Sequence, residues 1–425
     1  MHAMLPIFLD VSRLLSRAGA SVPTGIDRVE IEYATFLLDA YPQQTHFVAY
    51  HPIAGLSHLP FQRTASFVRD LANIWQHGAS QAASMIWRAR RLLHRAPLER
   101  RPGPAGGVYL LLSHHHLIQT GAIERFIARS GLRFVPMVHD LIPIEFPEYA
   151  RPREPARHTR RIRTVARLAD GVIVPSAYVR DGLRPFMTEQ GNDRPIEIIP
   201  HGLHIHVAAQ PAAATASRDD PPYFVCLGTI EPRKNHLLLL NIWRRLAETH
   251  GTRAPKLILI GKRGWENENI IDMLERCPAL QNLVEEHGSA SDRDVATYLS
   301  RARALLLPSF TEGYGLPLVE ALALGVPCIC SNVPVFREVA GDSATYIDPI
   351  DGPGWQAEIE RRSFERPALG SSPPPPERIS RNWHDQAARG VAFALDIAAE
   401  QSDHHARVAL SPTRFPRLVR VADPV

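Results

Sequence analysis

The sequence predicts an α/β protein made of two doubly wound domains. Short buried strands alternate with helical patterns along most of the 425 residues, and this order favours parallel sheets covered by helices on both faces. The length exceeds that of one ordinary domain, which is about 100–200 residues. Residues 207–222, rich in Ala, Pro and Asp and without periodicity, are typical of a linker between the two halves.

Composition and charge indicate a folded protein with local basic clusters. Hydrophobic residues make up 45% and charged residues 22%, and the formal net charge is only +4. Six arginines nevertheless fall in residues 88–101 and seven in residues 151–167. No stretch approaches the roughly 20 apolar residues that cross a bilayer, and the N-terminus lacks the basic start of a signal peptide. We therefore expect a cytoplasmic protein whose first segment is a strand.

The first half, residues 1–206, reads as one domain. Predicted strands cover residues 7–11, 47–50, 108–113, 133–139, 171–175 and 196–200. The segment 60–107 is the least interpretable part, and its arginine-rich second half fits either a solvated helix or one that lies on an anionic membrane surface.

The second half, residues 223–400, reads as another domain, followed by a tail at 401–425 that we expect to be disordered. Predicted strands cover residues 223–228, 256–261, 283–287, 304–308, 327–331 and 345–348. Helices are expected at residues 236–248 and 292–300, a stiff spacer at 371–376, and a late helix at 379–400. The four cysteines lack metal-ligand spacing, which predicts buried thiols at Cys226, Cys277, Cys328 and Cys330.

Residues 311–330, TEGYGLPLVEALALGVPCIC, combine two carboxylates, a glycine-rich turn and a helix start. Gly313 and Gly315 disfavour regular helix, while Pro317 suits a first helical position, so the helix should run over residues 317–324. Glu312 then lies on the loop and Glu320 one turn inside the helix. The free amides between them, those of residues 314–316, form an anion-binding helix end.

Other polar residues follow the predicted strands. Arg233 and Lys234 open a helix, so both cations suit a diphosphate, although a plain surface pair has the same pattern. His139 ends a buried strand where ligands gather in α/β sheets, yet position alone favours a histidine that binds nothing. Asp292 and Asp294 form a DxD pair, which we interpret as a helix N-terminus and not as a metal site.

Three motifs together resemble the retaining glycosyltransferases of family GT4, which have the GT-B fold. They are GTIEPRKN at residues 228–235, LPSFTEGYGLPLVEALALGVP at 307–327 and the His-Asp pair at His139. The second half matches throughout residues 223–348, whereas the first half matches loosely through TGIDRVE, VHDLIP and VIVPSAYV. Many members carry an arginine directly after the glycine at 228, where this chain has Thr229, so Arg233 is taken as the phosphate-binding arginine.

The resemblance implies a fold of two Rossmann-like domains facing across a cleft and a metal-independent enzyme without cofactor. It would move a hexose, mannose among the candidates, from an NDP-sugar to a hydroxyl with retention. Glu320 would bind the ribose, His139 and Glu312 the transferred sugar, and Gly25 would let the backbone approach the donor phosphate. The donor site would comprise Gly25, Arg233, Lys234, Glu312, Gly313, Tyr314, Gly315, Leu316 and Glu320.

A glycan or lipid-linked acceptor is expected, with peripheral contact between the arginine clusters and an anionic membrane, and no nucleic acid. Two alternatives stay open. One is a nucleotide-sugar epimerase or phosphorylase on the same fold, and the other is an inactive glycan-binding or nucleotide-binding protein. A dinucleotide-dependent enzyme is disfavoured because no GxGxxG follows any predicted strand.

Overall fold

The computed structural model describes residues 5–77, 82–95, 104–203, 222–288, 290–365 and 382–409. The predicted spacer at residues 371–376 and the part of the tail beyond residue 409 therefore lie outside the described residues. The predicted linker at 207–222 also lies outside them, except for residue 222. No helix within the described ranges is both long and apolar enough to cross a membrane.

The first domain is built on a mostly parallel sheet with strand order β3-β2-β1-β4-β5. A single bridge between Met137 and Ile173 connects β5 to the parallel pair β6-β7. β3 is an antiparallel edge strand that the sequence patterns did not predict. The strands are β1 Ile7–Asp10, β2 Thr45–His51, β3 Gly55–His58, β4 Val108–Leu111, β5 Arg133–Pro136, β6 Val172–Val174 and β7 Ile196–Ile198.

Helices cover both faces of this sheet, which explains why β1 and β4 are buried at every residue. The best-defined helix start is that of α2, where Thr24 and Asp27 form a reciprocal capping box. The helices are α1 Ser12–Ser16, α2 Gly25–Ala40, α3 Phe61–His77, α4 Ala82–Arg95, α5 Thr120–Ser130, α6 Ile142–Glu145, α7 Glu154–Leu168 and α8 Ala177–Glu189.

The second domain has a fully parallel sheet with strand order β10-β9-β8-β11-β12-β13. The order reverses between β8 and β11, so the loops after these two neighbouring strands diverge and leave a crevice at their carboxyl ends. The strands are β8 Tyr223–Leu227, β9 Lys256–Ile260, β10 Val284–His287, β11 Leu305–Leu307, β12 Cys328–Ser331 and β13 Thr345–Ile347.

Two apolar clusters fill the space between this sheet and its helices, and Trp243 and Trp355 are fully buried in one of them. Cys226, Cys328 and Cys330 are buried as expected, whereas Cys277 is half-buried. The helices of this half of the chain are α9 His236–His250, α10 Glu268–Arg276, α11 Asp292–Arg301, α12 Leu316–Ala323, α13 Pro334–Ala340, α14 Gly352–Phe364 and α15 Trp383–Ala409.

The last helix, α15, packs against the first domain, although the sequence analysis assigned residues 223–400 to the second domain. Trp383, Ala387, Val391 and Ala394 are buried in the same apolar cluster as β1 and α2. Gly390 permits the close approach, because a Cβ built there would lie 2.1 Å from the hydroxyl of Tyr33 on α2. The chain therefore returns to its first domain after completing the second, and helical periodicity alone carries no information about this destination.

Candidate donor-binding site

The site lies at the point where the second sheet reverses its strand order. The loop after β8 carries Arg233 and Lys234 in a short 3-10 turn, Pro232–Lys234, and the loop after β11 carries Glu312. A backbone hydrogen bond of 2.9 Å from Phe310 N to Arg233 O joins the two loops. Residues 77 positions apart in sequence thus meet because their strands are neighbours.

Gly228 makes room for Lys234. Its φ of 139° lies outside the range that side-chain-bearing residues favour. A Cβ at this position would also lie 3.2 Å from Lys234 Cε, so the lysine side chain crosses directly over the glycine. The glycine after β8 therefore directs the Lys234 ammonium into the crevice.

Glu312 joins both cations in one buried ion network. Its Oε1 lies 2.5 Å from Lys234 Nζ, and its Oε2 lies 2.8 Å from Arg233 Nη1. Arg233 is fixed further by Glu231 at 2.7 Å and by the Thr311 carbonyl at 2.7 Å. The network presents two cations with restricted side chains, as the recognition of a diphosphate requires.

The protonation state of Glu312 follows from these partners. Burial by itself would raise the pKa of this carboxyl, but the charges of Arg233 and Lys234 outweigh burial and lower the pKa to about 2. Burial would lower the pKa of Arg233, but the charges of Glu312 and Glu231 raise it above its usual value. Glu312 and Arg233 are therefore both charged at neutral pH.

The start of α12 adds backbone donors beside the network. Gly315 caps the helix with φ 97°, and a Cβ there would lie 2.8 Å from the Phe336 ring, so both conformation and space require glycine. Leu316 is the first helical residue, which places Pro317 at the second position and not at the predicted first one. The helix ends before Gly325, whose φ is 70°. The amides of residues 314–316 thus lie at the positive end of α12, as predicted.

Gly313 lies at a close approach between the two domains. A Cβ on Gly313 would lie 2.4 Å from the carbonyl oxygen of His139, which belongs to the first domain. The Ser176 hydroxyl donates a hydrogen bond of 2.9 Å to the Gly313 carbonyl, and the Tyr314 hydroxyl donates to the His201 carbonyl at 3.3 Å. The predicted His139 and Gly313 are therefore brought together across the cleft.

His139 is buried and neutral at physiological pH. Its Nε2 lies 2.8 Å from the Leu112 carbonyl oxygen and donates to it, which leaves Nδ1 as the acceptor. Burial lowers the pKa of His139 to about 4, against the opposing effect of the Leu112 hydrogen bond. The side chain can therefore accept a hydrogen bond from a hydroxyl group, but it is a weak base.

Gly25 lies where the first domain faces the start of α12. It is the first residue of α2, and a Cβ there would lie 3.4 Å from Leu316 Cδ1. The N-termini of α2 and α12 thus approach each other, so that two helix ends of positive character face the same space.

Glu320 lies on α12, half-buried, beside a pair that sequence reasoning did not connect. Burial raises the pKa of Glu320 to about 7, with Arg28 opposing and Asp292 adding to the shift. Arg28 on α2 binds Asp292 on α11 through two hydrogen bonds of 2.7 and 2.5 Å. Ser291 caps α11 in a capping box with Asp294, which confirms the helix-start interpretation of the DxD pair.

A second interdomain contact was also missed. Glu338 on α13 accepts hydrogen bonds from the amides of Ala177 and Tyr178 at 2.6 and 3.1 Å, at the N-terminus of α8. A carboxylate at a helix N-terminus is a favourable pairing. The sequence PSAYV, with its capping serine, predicts the start of α8. It gives no information on a contact with a residue 161 positions away.

Comparison with known proteins identifies the second domain. Residues 210–350 match the family model described as glycosyl transferases group 1. O-antigen chain mannosyltransferase B of Escherichia coli is 39% identical over 137 residues, which are 32% of this chain and 35% of that protein. Serotype-specific mannosyltransferase WbdA of Escherichia coli is 28% identical over 231 residues, 50% of this chain and 27% of that protein. The chain thus spans about a third or less of these relatives.

Solved structures match along nearly the whole chain. Sucrose-phosphate synthase from Thermosynechococcus elongatus covers 96% of it, with TM-score 0.59, 16% identity and 100% of that structure matched. Anabaena Alr3699/HepE in complex with UDP-glucose covers 94%, with TM-score 0.58, 15% identity and 100% of that structure matched. These likenesses show the fold, which is the GT-B arrangement of two Rossmann-like domains.

Proposed function

We propose that this chain, whose residues 210–350 belong to the glycosyl transferases group 1 family, transfers a hexose from a nucleoside diphosphate sugar to a hydroxyl acceptor. The observation that carries the proposal is the ion network of Arg233, Lys234 and Glu312 at the N-terminus of α12. Half-buried cations beside helix-end amides form a site for a diphosphate.

The donor would lie along α12. Its diphosphate contacts Lys234, Arg233 and the amides of residues 314–316, and Glu320 accepts hydrogen bonds from the two ribose hydroxyls. A carboxylate suits this role because its two oxygens can accept both hydrogen bonds. Its pKa of about 7 means that Glu320 is an acceptor above neutral pH and partly protonated below it.

The transferred sugar would lie between Glu312 and His139. Their loops approach each other at Gly313, which is why a sugar at this point contacts both domains. Neutral His139 accepts a hydrogen bond from a sugar hydroxyl through Nδ1 and fixes the orientation of the ring. This contact positions the sugar and does not require His139 to take up a proton.

The reaction breaks the bond between the anomeric carbon and the diphosphate oxygen and forms a bond from that carbon to the acceptor oxygen. The acceptor proton passes to the leaving diphosphate. Arg233 and Lys234 stabilise the negative charge that develops on the leaving group, without the need for a metal ion. Attack from the face that the diphosphate leaves gives retention of configuration, which is our proposal for this chain.

Mannose is the proposed hexose because two matching relatives are named as mannosyltransferases, one of them an O-antigen chain enzyme. On the same ground, the proposed acceptor is a lipid-linked or polysaccharide intermediate. Donor and product assays test both proposals for this chain.

The basic helix α4 supports contact with an anionic membrane, at the inner face of the cytoplasmic membrane. It contains four arginines, no acidic residue, and Trp87 with 60% of its surface exposed. Arg91 lies over the Trp87 ring, and a groove of about 460 Å³ opens beside it towards α3. Ion pairs occur in both arginine clusters: Arg88 of α4 pairs with Asp70, and Glu154 pairs with Arg157 and Arg161 on α7. Flotation with anionic and neutral vesicles tests this contact, and equal binding to both would contradict it.

A screen of UDP-, GDP-, ADP- and dTDP-sugars by thermal unfolding tests the function. A donor at a hundred times its dissociation constant should stabilise the protein by about 2.7 kcal/mol. Incubation with acceptor should then release the nucleoside diphosphate and form a glycosidic product of retained configuration. An isomerised sugar nucleotide without glycoside would indicate the epimerase, and a sugar phosphate product the phosphorylase. Binding without any product would indicate an inactive homologue.

A further inference from the structure

Arg28 and Asp292 form an ion pair between the two domains that the proposed chemistry does not use. Arg28 lies on α2 and Asp292 is the first residue of α11, and their two hydrogen bonds measure 2.7 and 2.5 Å. Only 18% of the arginine side chain and 31% of the aspartate side chain are exposed. Such a paired, partly buried geometry fixes both side chains, unlike a mobile surface pair.

Asp292 binds the Arg28 guanidinium directly. Helices α2 and α12 meet where Gly25 approaches Leu316, and Arg28 and Glu320 each lie about one turn further along these helices. Burial would lower the pKa of Arg28, but the contact with Asp292 and the charges of Glu320 and Glu32 raise it. Burial raises the pKa of Glu32 and of Glu320 to about 7, and in each case Arg28 opposes the shift while Asp292 adds to it. Arg28 is therefore the cation that the first domain contributes to the carboxylates around Glu320.

Resting on the proposed function, we propose that Arg28 is a positioning residue of the donor site. Its paired contact with Asp292 holds the closed domains together beside Glu320 and prepares that carboxylate for the ribose. The donor-binding half of the second domain is then complete only when α2 of the first domain is docked. The DxD pair acquires a role as the docking point of this arginine.

The charges predict opposite effects for the two partners. Removal of the Arg28 charge takes away the group that favours ionised Glu320, so the pH at which donor affinity rises should move up. Removal of the Asp292 charge takes away a group that disfavours ionised Glu320, so the same midpoint should move down. A merely structural contact would weaken donor binding in both variants without opposite shifts.

Donor affinity as a function of pH tests the inference, with GDP-mannose as the probe between about pH 5.5 and 8.5. We expect the midpoint to rise by roughly one unit in Arg28→Met and to fall in Asp292→Asn. Arg28→Lys, which keeps the charge, should stay near the wild-type midpoint. Arg133→Met is the matched control, since it breaks the Arg133–Asp170 pair of similar burial at the amino end of β5. Shifts of the same sign in the two variants contradict the proposal.

Small-angle X-ray scattering without donor tests the interdomain contact separately. We expect a larger radius of gyration for Arg28→Met than for the wild type and Arg133→Met. Unchanged scattering for Arg28→Met contradicts this inference, whatever the donor. If the wild type binds none of the sugar nucleotides, the proposed function is contradicted instead, so the two failures are distinguishable.

Discussion

At the scale of single residues, Glu312 holds in place the two cations that the proposed function assigns to the donor diphosphate. Its carboxylate holds Lys234 and Arg233 at 2.5 and 2.8 Å, so that both cations are fixed before a donor arrives. Prepositioned charges stabilise a leaving group without reorganisation at the moment of reaction. The same burial makes the removal of this one negative charge costly, because Lys234 would lose the carboxylate that it binds and Arg233 would keep only Glu231.

Glu312→Gln should lower the free energy of unfolding by about 3 kcal/mol at pH 7, since it removes the carboxylate charge that binds Lys234 and one of the two that bind Arg233. The pKa of Glu312 is lowered to about 2, so its contribution is fully present above the ordinary carboxyl pKa of 4.5 and is lost as the pH falls towards 2. Urea unfolding should therefore show the difference between wild type and variant narrowing over that interval.

The control is Glu285→Gln, which breaks the exposed pair with Lys256 in the same domain. It should change stability by less than about 1 kcal/mol. A pH-independent difference for Glu312→Gln would contradict the ion-network account.

The residues that meet at the candidate donor site could be predicted from the sequence because they lie in one short motif and one basic pair. Glu312, Gly313 and Lys234 follow strands of the same parallel sheet. Because the carboxyl ends of parallel strands lie at one edge of the sheet, these residues were expected to lie close together. Arg28 and Glu338 could not be found in this way. Each acts through a partner on the other domain, and the sequence contains no measure of how the two domains dock.

At the scale of elements, α15 shows where local patterns are insufficient. Its helical periodicity predicted a helix at residues 379–400, and the structure has one at Trp383–Ala409. Its burial against α2, β4 and β5 depends on long-range packing that periodicity does not encode. The first domain therefore depends on a segment that follows the second domain in the chain.

Val391→Ala should destabilise the protein by about 2 kcal/mol, because Val391 is fully buried in the first-domain core. Hydrogen exchange should show faster exchange in α2, Gly25–Ala40, with little change in the second domain. Asp396→Ala, at an exposed position of the same helix, is the control. Increased exchange confined to the second domain would contradict the assignment of α15.

At the scale of the whole molecule, the structure is closed. Contacts between the domains occur at Gly313, between Arg28 and Asp292, and between Glu338 and α8. The fold class and the positions of most strands along the chain followed from the sequence, because alternation of strands and helices favours parallel sheets. Closure did not follow, because it depends on complementary surfaces formed by residues more than 110 positions apart.

Gly313→Ala should prevent closure, since the added methyl group would lie 2.4 Å from the His139 carbonyl oxygen. Each domain should fold normally, while the rate of sugar transfer should fall by about a hundredfold through misplacement of the two halves of the site. Steady-state kinetics and thermal unfolding measure the two effects.

Gly352→Ala on α14 serves as the matched substitution, because its Cβ would lie at an ordinary 3.5 Å from Leu238. A Gly313→Ala protein with wild-type turnover would show that the contact at Gly313 does not matter for the reaction.

The central claim is that the N-terminus of α12, with Lys234 and Glu320, binds the sugar nucleotide. Calorimetric titration of the best donor from the screen into wild type, Lys234→Ala, Glu320→Ala and the exposed control Lys256→Ala tests it most directly. The account predicts a loss of affinity of about tenfold or more for each of the two site variants and none for the control. Folded site variants that bind the donor as tightly as wild type would contradict it.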